Sequence, residues 1–399
     1  MKSLLRRSDV RLLLAGQTLS MFGDWMMIIV LGIWTKVLTG SNGAAGLVFF
    51  VFALTGLVSP LGGLVVDRVR KRPLMIGTHL ALAGIMCLLL LVHDRGDVWL
   101  LYLVTLLYGF GGDIFAAARQ SMLKAMLPDE VLGDANGLLQ SVREGMRLVA
   151  PLAGAGLYAV AGGSIVALVD AGTFVLSAAT LVALPFVEPP AAVAVHRFLR
   201  EATAGIVHIW HDDVLRRLTI GTAGTMLVIG FSETLIFAIT QALGRPASFI
   251  GVLGTLQGVG SIAGGLTAGR MLRRLGDLRT LGIGITLFAV GDLLWLILSL
   301  PVVLVGMAIA GCGIVWAVVA LSTAYQRRSP QDVQGRVAAA SNMLFSVPQT
   351  ISIATGAALI SVVDYRVEIV VMAVGTVLSA AYLLTRRLRE PEATFELAA

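Results

Sequence analysis

The sequence predicts an all-α membrane protein of twelve transmembrane helices in two six-helix pseudo-repeats. Three observations carry that expectation. Mean hydropathy is +0.88, with 57% hydrophobic and 14% charged residues, too apolar for an ordinary soluble domain. Windows of about 20 apolar residues, enough to cross a bilayer, recur from end to end, and few show the polar stripe of a soluble helix. Lysines and arginines, finally, collect in alternate connections.

The spans are predicted at 10–36, 43–66, 73–94, 98–122, 133–161 and 164–187, then at 216–241, 247–271, 279–299, 301–326, 335–361 and 367–388. The basic N-terminus, MKSLLRRSDVR, precedes the first of these. No small-residue cleavage site follows, so the run is read as a span and not as a signal peptide. One side of the membrane collects Arg6, Arg7 and Arg11; Arg68, Arg70, Lys71 and Arg72; Arg119 and Lys124; and Arg197, Arg200, Arg216 and Arg217. The same side holds Arg270, Arg273, Arg274 and Arg279; Arg327, Arg328 and Arg336; and Arg386, Arg387 and Arg389. The other side has Lys36, Arg95, Arg245 and Arg366. Flanking Lys and Arg are retained in the cytoplasm, which predicts a multi-pass protein with both termini cytoplasmic. This distribution also explains the formal charge of +6 without a nucleic-acid partner. Cys87 and Cys312 each sit in an apolar stretch and read as small fillers.

The longest connection follows Glu188-Pro189-Pro190. Its segment HRFLREATAGIVHIWHDDVLRR places Leu199, Ile206, Ile209 and Trp210 on one face, as expected of a short helix on the membrane surface. The chain is thereby divided into an N-terminal half (1–187), a linker (188–215) and a C-terminal half (216–399). The halves repeat at an offset of 202 residues. Gly63-Leu-Val-Val-Asp67-Arg68 meets Gly265-Leu-Thr-Ala-Gly269-Arg270, and Pro128-Asp-Glu-Val131 meets Pro330-Gln-Asp-Val333. Gly109 and Gly111 meet Gly311 and Gly313, and Gly154 meets Gly356. Tandem parallel halves of this kind point to a transporter whose site lies between them at mid-membrane.

The turn between spans two and three, Gly63 to Pro73, resembles the signature of the major facilitator superfamily: a glycine, three residues, Asp-Arg, then a basic cluster. Arg70 stands where the family pattern has glycine. Phe115 to Leu157 is similar to the drug:proton antiporter branch that contains macrolide and multidrug efflux pumps, on its Leu-Pro followed by an acid, its Ala-Asn-Gly-Leu and a later Pro-x-x-Gly. Pro151, Gly154 and Gly156 look like parts of that branch's antiporter motif, with Ala150 and Ala155 where the motif prefers glycine. The resemblance implies the major facilitator fold and proton-coupled export of amphipathic drugs, an export architecture that favours a bacterial inner membrane; a monomer is expected. It also implies that Asp67, with Gly63 and Arg68, forms a conformational latch whose arginine partner is Arg119 or Arg336. Physically, Asp67 at the membrane edge can meet a helix N-terminus and an arginine, and Gly63 allows close packing.

Ionisable side chains inside a membrane are costly and need a reason. Asp24 lies in span one, Asp113 in span four, Arg143, Glu144 and Arg147 in span five, Asp170 in span six, Glu233 in span seven and Asp292 in span nine. In the family's fold, helices one, four, seven and ten line the cavity, with five and eight close by. Asp24, Asp113, Glu144, Arg147, Glu233 and Arg143 are therefore candidates for proton coupling or substrate binding. Asp24 and Glu144 could equally form buried pairs with Arg147 or Arg143. Asp170 and Asp292 fall on helices that pack peripherally, where capping or interhelical bonds are expected. Trp25, Met26, Tyr108, Phe110, Phe231 and Trp316 could supply an adaptable apolar wall. No nucleotide loop, metal spacing or nucleophile motif is present, so neither enzyme nor cofactor is expected. A non-transporting sensor is disfavoured because no further soluble domain accompanies the spans. The expected partners are a small amphipathic substrate, protons and membrane lipid; a siderophore or lysophospholipid is the alternative to a drug.

Overall fold

A computed structural model describes residues 8–127, 129–185, 198–329 and 334–385. These form α1 (Ser8–Thr39), α2 (Asn42–Arg68), α3 (Lys71–Cys87), α4 (Val98–Met126), α5 (Asp129–Val182) and α6 (Phe198–His211). They continue as α7 (Asp213–Ile229), α8 (Ser232–Ala242), α9 (Ile250–Leu293), α10 (Leu300–Arg328), α11 (Gln334–Leu359) and α12 (Tyr365–Leu384). No strand occurs among the described residues. Seven helical stretches among them are long and apolar enough to cross a membrane, and α7 with α8, bent by 40°, makes an eighth.

Polar side chains mark where helices begin. Ser41 accepts a hydrogen bond from the Ala44 amide (3.2 Å) at the start of α2. Asp212 accepts from the Val214 and Leu215 amides (2.8 and 2.9 Å) at the start of α7, and Asp364 from the Arg366 amide (2.8 Å) at the start of α12. Each satisfies donors that the first turn leaves without a partner.

Helix α5 runs for 54 residues, about 80 Å if it were straight, far more than the bilayer core of about 30 Å. It turns back at Gly162, whose φ of 77° and ψ of 174° belong to backbone that only glycine adopts readily. Its neighbours along α1 trace the hairpin. Gly154 packs on Met26 and Gly163 on Trp34; then Asp170 lies against Gly23 and Thr180 against Gly16. Gly276 (φ 75°) breaks α9 in the same way. Gly260 and Gly264 pack on Ala308 and Cys312 before the break, while Gly284 and Gly291 pack on Gly313 and Gly306 after it. Spans five and six, and eight and nine, thus fall on separate arms of two hairpins. Gly162→Ala is expected to lower stability by about 1–3 kcal/mol, read as an earlier thermal unfolding transition in detergent. An unchanged transition would mean the turn relaxes without strain.

The offset of 202 residues reappears as contacts. Gly109 meets Thr55 and Gly311 meets Gln257; Gly111 meets Leu82 and Gly313 meets Gly284. At each such glycine a Cβ would come within about 3 Å of its neighbour, so these positions let helices approach closely.

The amphipathic α6 departs from expectation. Ile209 is fully buried and Gly205 seats against the Arg336 carbonyl and Ala340 of α11, while Val207 and Trp210 stay exposed. Ile209 and Trp210, adjacent in sequence, are about 100° apart on a helix, so one faces α11 and the other faces outward. Leu199 and His196 lie outside the described side chains. His208 Nε2 is 3.2 Å from the Arg328 carbonyl, and His211 Nδ1 is 2.7 Å from that of Val207.

Asp292 of α9 is 1% exposed, and neither of its carboxylate oxygens has a hydrogen-bond partner among the described residues. The same holds for Glu368 of α12. A buried polar group without a partner costs about 1–3 kcal/mol. Asp292→Leu is therefore expected to raise the unfolding temperature in detergent; a fall would mean that the carboxyl has a partner.

Candidate functional site

Two ends of the bundle differ. Where α1 leads into α2, the helices close on one another. Ile33 of α1, Ala45 of α2, Ala155 of α5, Phe237 of α8 and Ile250 of α9 form one buried cluster. Phe49 and Phe237 approach with ring centroids 6.1 Å apart, and Lys36 Nζ donates to Gln241 Oε1 at 2.7 Å. Gly43 faces the Ala357 carbonyl of α11, and Gly46 faces Thr234 of α8.

Toward the end where α1 begins lies a cavity of about 560 Å³, lined from α1, α4, α5 and α11. Its polar lining is Asp113, Arg119, Gln120, Arg143 and Asn342; Met21, Leu123 and Leu139 are among its apolar lining. Arg119 Nη1 donates to Gln17 Oε1 at 2.9 Å. The cavity thus combines two guanidinium groups, one carboxyl and apolar surface.

Asp24 adjoins this region. Tyr108 donates its hydroxyl hydrogen to Asp24 Oδ1 at 2.8 Å, and Ser20 Oγ stands 3.5 Å from Oδ2. Arg119 and Arg143 are the positive charges that face it. One turn further along α5, the Arg147 guanidinium sits 5.5 Å from the centre of the Trp25 ring, a cation–π contact. Arg147 is also the charge that faces Glu233, in the first turn of α8 beyond the bend.

The structure therefore brings Asp24, Asp113, Arg119 and Arg143 together at or beside one cavity. Arg147 and Glu233 form a second group nearby. The surroundings of Gly63 and the side chains of Asp67, Arg68 and Glu144 lie outside the described residues. Arg119, one of the two candidate partners of Asp67, lines the cavity and donates to Gln17. Arg336 is exposed at the start of α11. Gly154 packs on Met26, and the Pro151 carbonyl lies 3.3 Å from where a Cβ on Gly251 would stand; Gly156 meets open space.

None of the six residues expected to form an apolar wall is in the lining of this cavity. Met26 and Tyr108 are buried in the packing among α1, α3, α4 and α5, and Phe231 is buried against Gly356. Trp25 carries Arg147, Phe110 is half-buried, and Trp316 Nε1 donates to Thr267 Oγ1 at 2.9 Å. Helical periodicity places these side chains on faces without saying which face meets a neighbour. The residues the sequence reading missed are Gln17, Gln120 and Asn342; Asp170 was named but left out of the candidate site. Asp170 is fully buried and packed on Gly23 of α1, not peripheral. Among the described residues no cluster of His, Cys, Asp and Glu could hold a metal ion.

A family model described as Major Facilitator Superfamily matches residues 13–238 and 218–398. An uncharacterized MFS-type transporter, YfiS of Bacillus subtilis (strain 168), is 27% identical over 271 residues, which is 65% of this chain and 63% of that protein's length. A bacterial homologue of the iron transporter ferroportin, in an inward-facing state, superposes with a TM-score of 0.73 at 17% identity, covering 96% of this chain and 98% of that one. Its outward-facing form gives 0.62 at 16% identity, covering 95% and 99%. The nucleoside transporter NupG superposes with a TM-score of 0.75 at 13% identity, covering 95% and 99%.

Proposed function

The chain belongs to the Major Facilitator Superfamily, and we propose that it is a proton-coupled exporter of amphipathic small molecules that works by alternating access. It is a multi-pass membrane transporter and not an enzyme. The observation that supports coupling is Asp24, a partly buried carboxylate held by Tyr108 and flanked by Arg119 and Arg143, two residues that line the cavity.

The basic residues orient both termini to the cytoplasm of a bacterial inner membrane. On that orientation the cavity opens inward and the Ile33–Phe237 seal faces outward. The better superposition on the inward-facing form of the ferroportin homologue favours the same state. The halves 1–187 and 216–399 rock about the site, and the seal breaks as the cytoplasmic end closes. The latch of Gly63, Asp67 and Arg68 is assigned to that closed cytoplasmic state, with Arg119 or Arg336 as its partner.

A cationic amphiphile entering from the cytoplasm favours the ionised form of Asp24, and a proton favours the neutral form. The two therefore compete for one site, and each drives the other across. A second reading, export of an endogenous amphiphile such as a siderophore or lysophospholipid, is favoured by the two arginines in the cavity, which suit an acidic head group. Proteoliposomes with an acidic lumen distinguish these. Gradient-driven accumulation of ethidium or a fluorescent macrolide supports the drug reading. Movement of lysophospholipid or siderophore alone supports the second, and movement of neither by folded protein rejects both.

A further inference from the structure

We propose that Asp24 and Asp170 form one proton-carrying site, two carboxyl groups on neighbouring helices that hold a single proton between them, with Asp170 the hidden member. This rests on the reading of the chain as a proton-coupled carrier.

The sequence builds the site from two matched stripes. Beyond the break at Gly162, α5 carries Asp170, Thr173, Ser177 and Thr180 at helical spacing on an otherwise apolar arm. They face α1 at its glycines, Gly16 against Ser177 and Thr180, Gly23 against Asp170 and Thr173. A Cβ on Gly23 would collide with Asp170 Oδ1. The absence of that atom lets the carboxyl reach the turn of α1 that bears Asp24.

Hydrogen-bond accounting separates the two acids. Thr173 Oγ1 has one hydrogen; it lies 2.8 Å from the Asp170 carbonyl and 3.2 Å from Asp170 Oδ1, and the shorter bond takes it. Asp170 Oδ2 is buried with no partner among the described residues, and the residue is 0% exposed. Among the described residues, the charge that faces it is Asp24. A lone carboxylate in such a place is strongly disfavoured, and two ionised carboxylates side by side more so. Asp24, by contrast, has the Tyr108 hydroxyl, Ser20, and the Arg119 and Arg143 charges.

The other titratable groups on the surrounding helices are placed elsewhere. His79 of α3 stacks on Phe115 at 3.7 Å and tilts against Phe174. Asp113 of α4 lines the cavity, and Arg147 of α5 covers Trp25. Asp24, the less buried of the two and faced by the cavity residues Arg119 and Arg143, is the exit: its O–H bond breaks, the proton passes to water in the cavity, and the electron pair stays on the carboxylate. Asp170 remains the reserve behind it.

The test is an infrared pH titration of the purified full-length protein carrying isotopically labelled aspartate, with proteoliposome transport measured separately. Asp170→Asn is expected to remove one component of the buried protonated-aspartate band that wild type shows near neutral pH, while the component from Asp292, also buried without a partner among the described residues, remains. Asp24→Asn and Tyr108→Phe are each expected to move the midpoint of the Asp170 component by about one pH unit or more, the mark of interacting sites. Tyr108→Phe leaves both carboxyls in place and serves if Asp170→Asn does not fold. A band from which Asp170→Asn removes no component, or a midpoint unmoved by both other variants, overturns the shared site even if transport proves proton-driven. A shared band in a protein whose transport ignores the gradient rejects the coupled-exporter reading instead.

Discussion

Asp24→Asn is expected to abolish accumulation of substrate against its gradient while leaving downhill exchange in place. The amide keeps the shape of the carboxyl and can still meet Tyr108, whose hydroxyl lies 2.8 Å from Asp24 Oδ1, but it cannot carry a proton. Removing coupling removes the drive. The loss should be roughly tenfold or more, the scale of a coupling free energy of about 1–3 kcal/mol. The dependence of exchange on pH should flatten at the same time, because the group competing with substrate no longer titrates. Glu144→Gln is the comparison on the neighbouring span. If Asp24→Asn still accumulates substrate and Glu144→Gln does not, the coupling acid is Glu144. If exchange is lost together with accumulation, Asp24 acts chiefly in binding.

The fold was legible because membrane solvent imposes a coarse grammar on the sequence. Apolar run length, basic connections and the 202-residue offset are enough to predict helices, alternation and repeat, and the Gly109–Thr55 and Gly311–Gln257 contacts follow the offset residue for residue. The site was legible only in part, because composition reports that a charge is in the membrane but not what it faces. Asp24 was found as an acid in the middle of a span. Asp170 was set aside because its helix was expected to be peripheral, although its signal was present: a polar stripe on one helix and glycines seven residues apart, Gly16 and Gly23, on another. Arg119 was read as one of two candidate latch partners, and the sequence did not show that it also lines a cavity beside Gln17. The six wall residues are ambiguous for the same reason, as packing and lining use identical side chains.

Gly43→Val should shift the protein toward the state open at the end now sealed. Gly43 is the second residue of α2, and a Cβ there would lie 2.6 Å from the Ala357 carbonyl of α11. The obstacle is backbone, which cannot rotate aside, so the helices must part. Gly251→Val acts at the neighbouring seam, where a Cβ would meet Ala155 Cβ at 2.8 Å and Leu152 Cα at 3.1 Å. Overpacking of this kind costs about 1–3 kcal/mol, paid only in the sealed state, and so changes the ratio of states by roughly 5–150-fold. The readout is an Ile33→Cys probe, fully buried in the seal, in a chain whose Cys87 and Cys312 are replaced. Reaction with an impermeant maleimide from the sealed side should accelerate in both valine variants. An Arg143→Cys probe, on the cavity at the other end, should slow in step. Faster reaction at Ile33→Cys with no change at Arg143→Cys would mean that the seal has loosened without the rocking of one half on the other. Unchanged reaction at both would mean that the contacts of Gly43 and Gly251 do not set the balance between states.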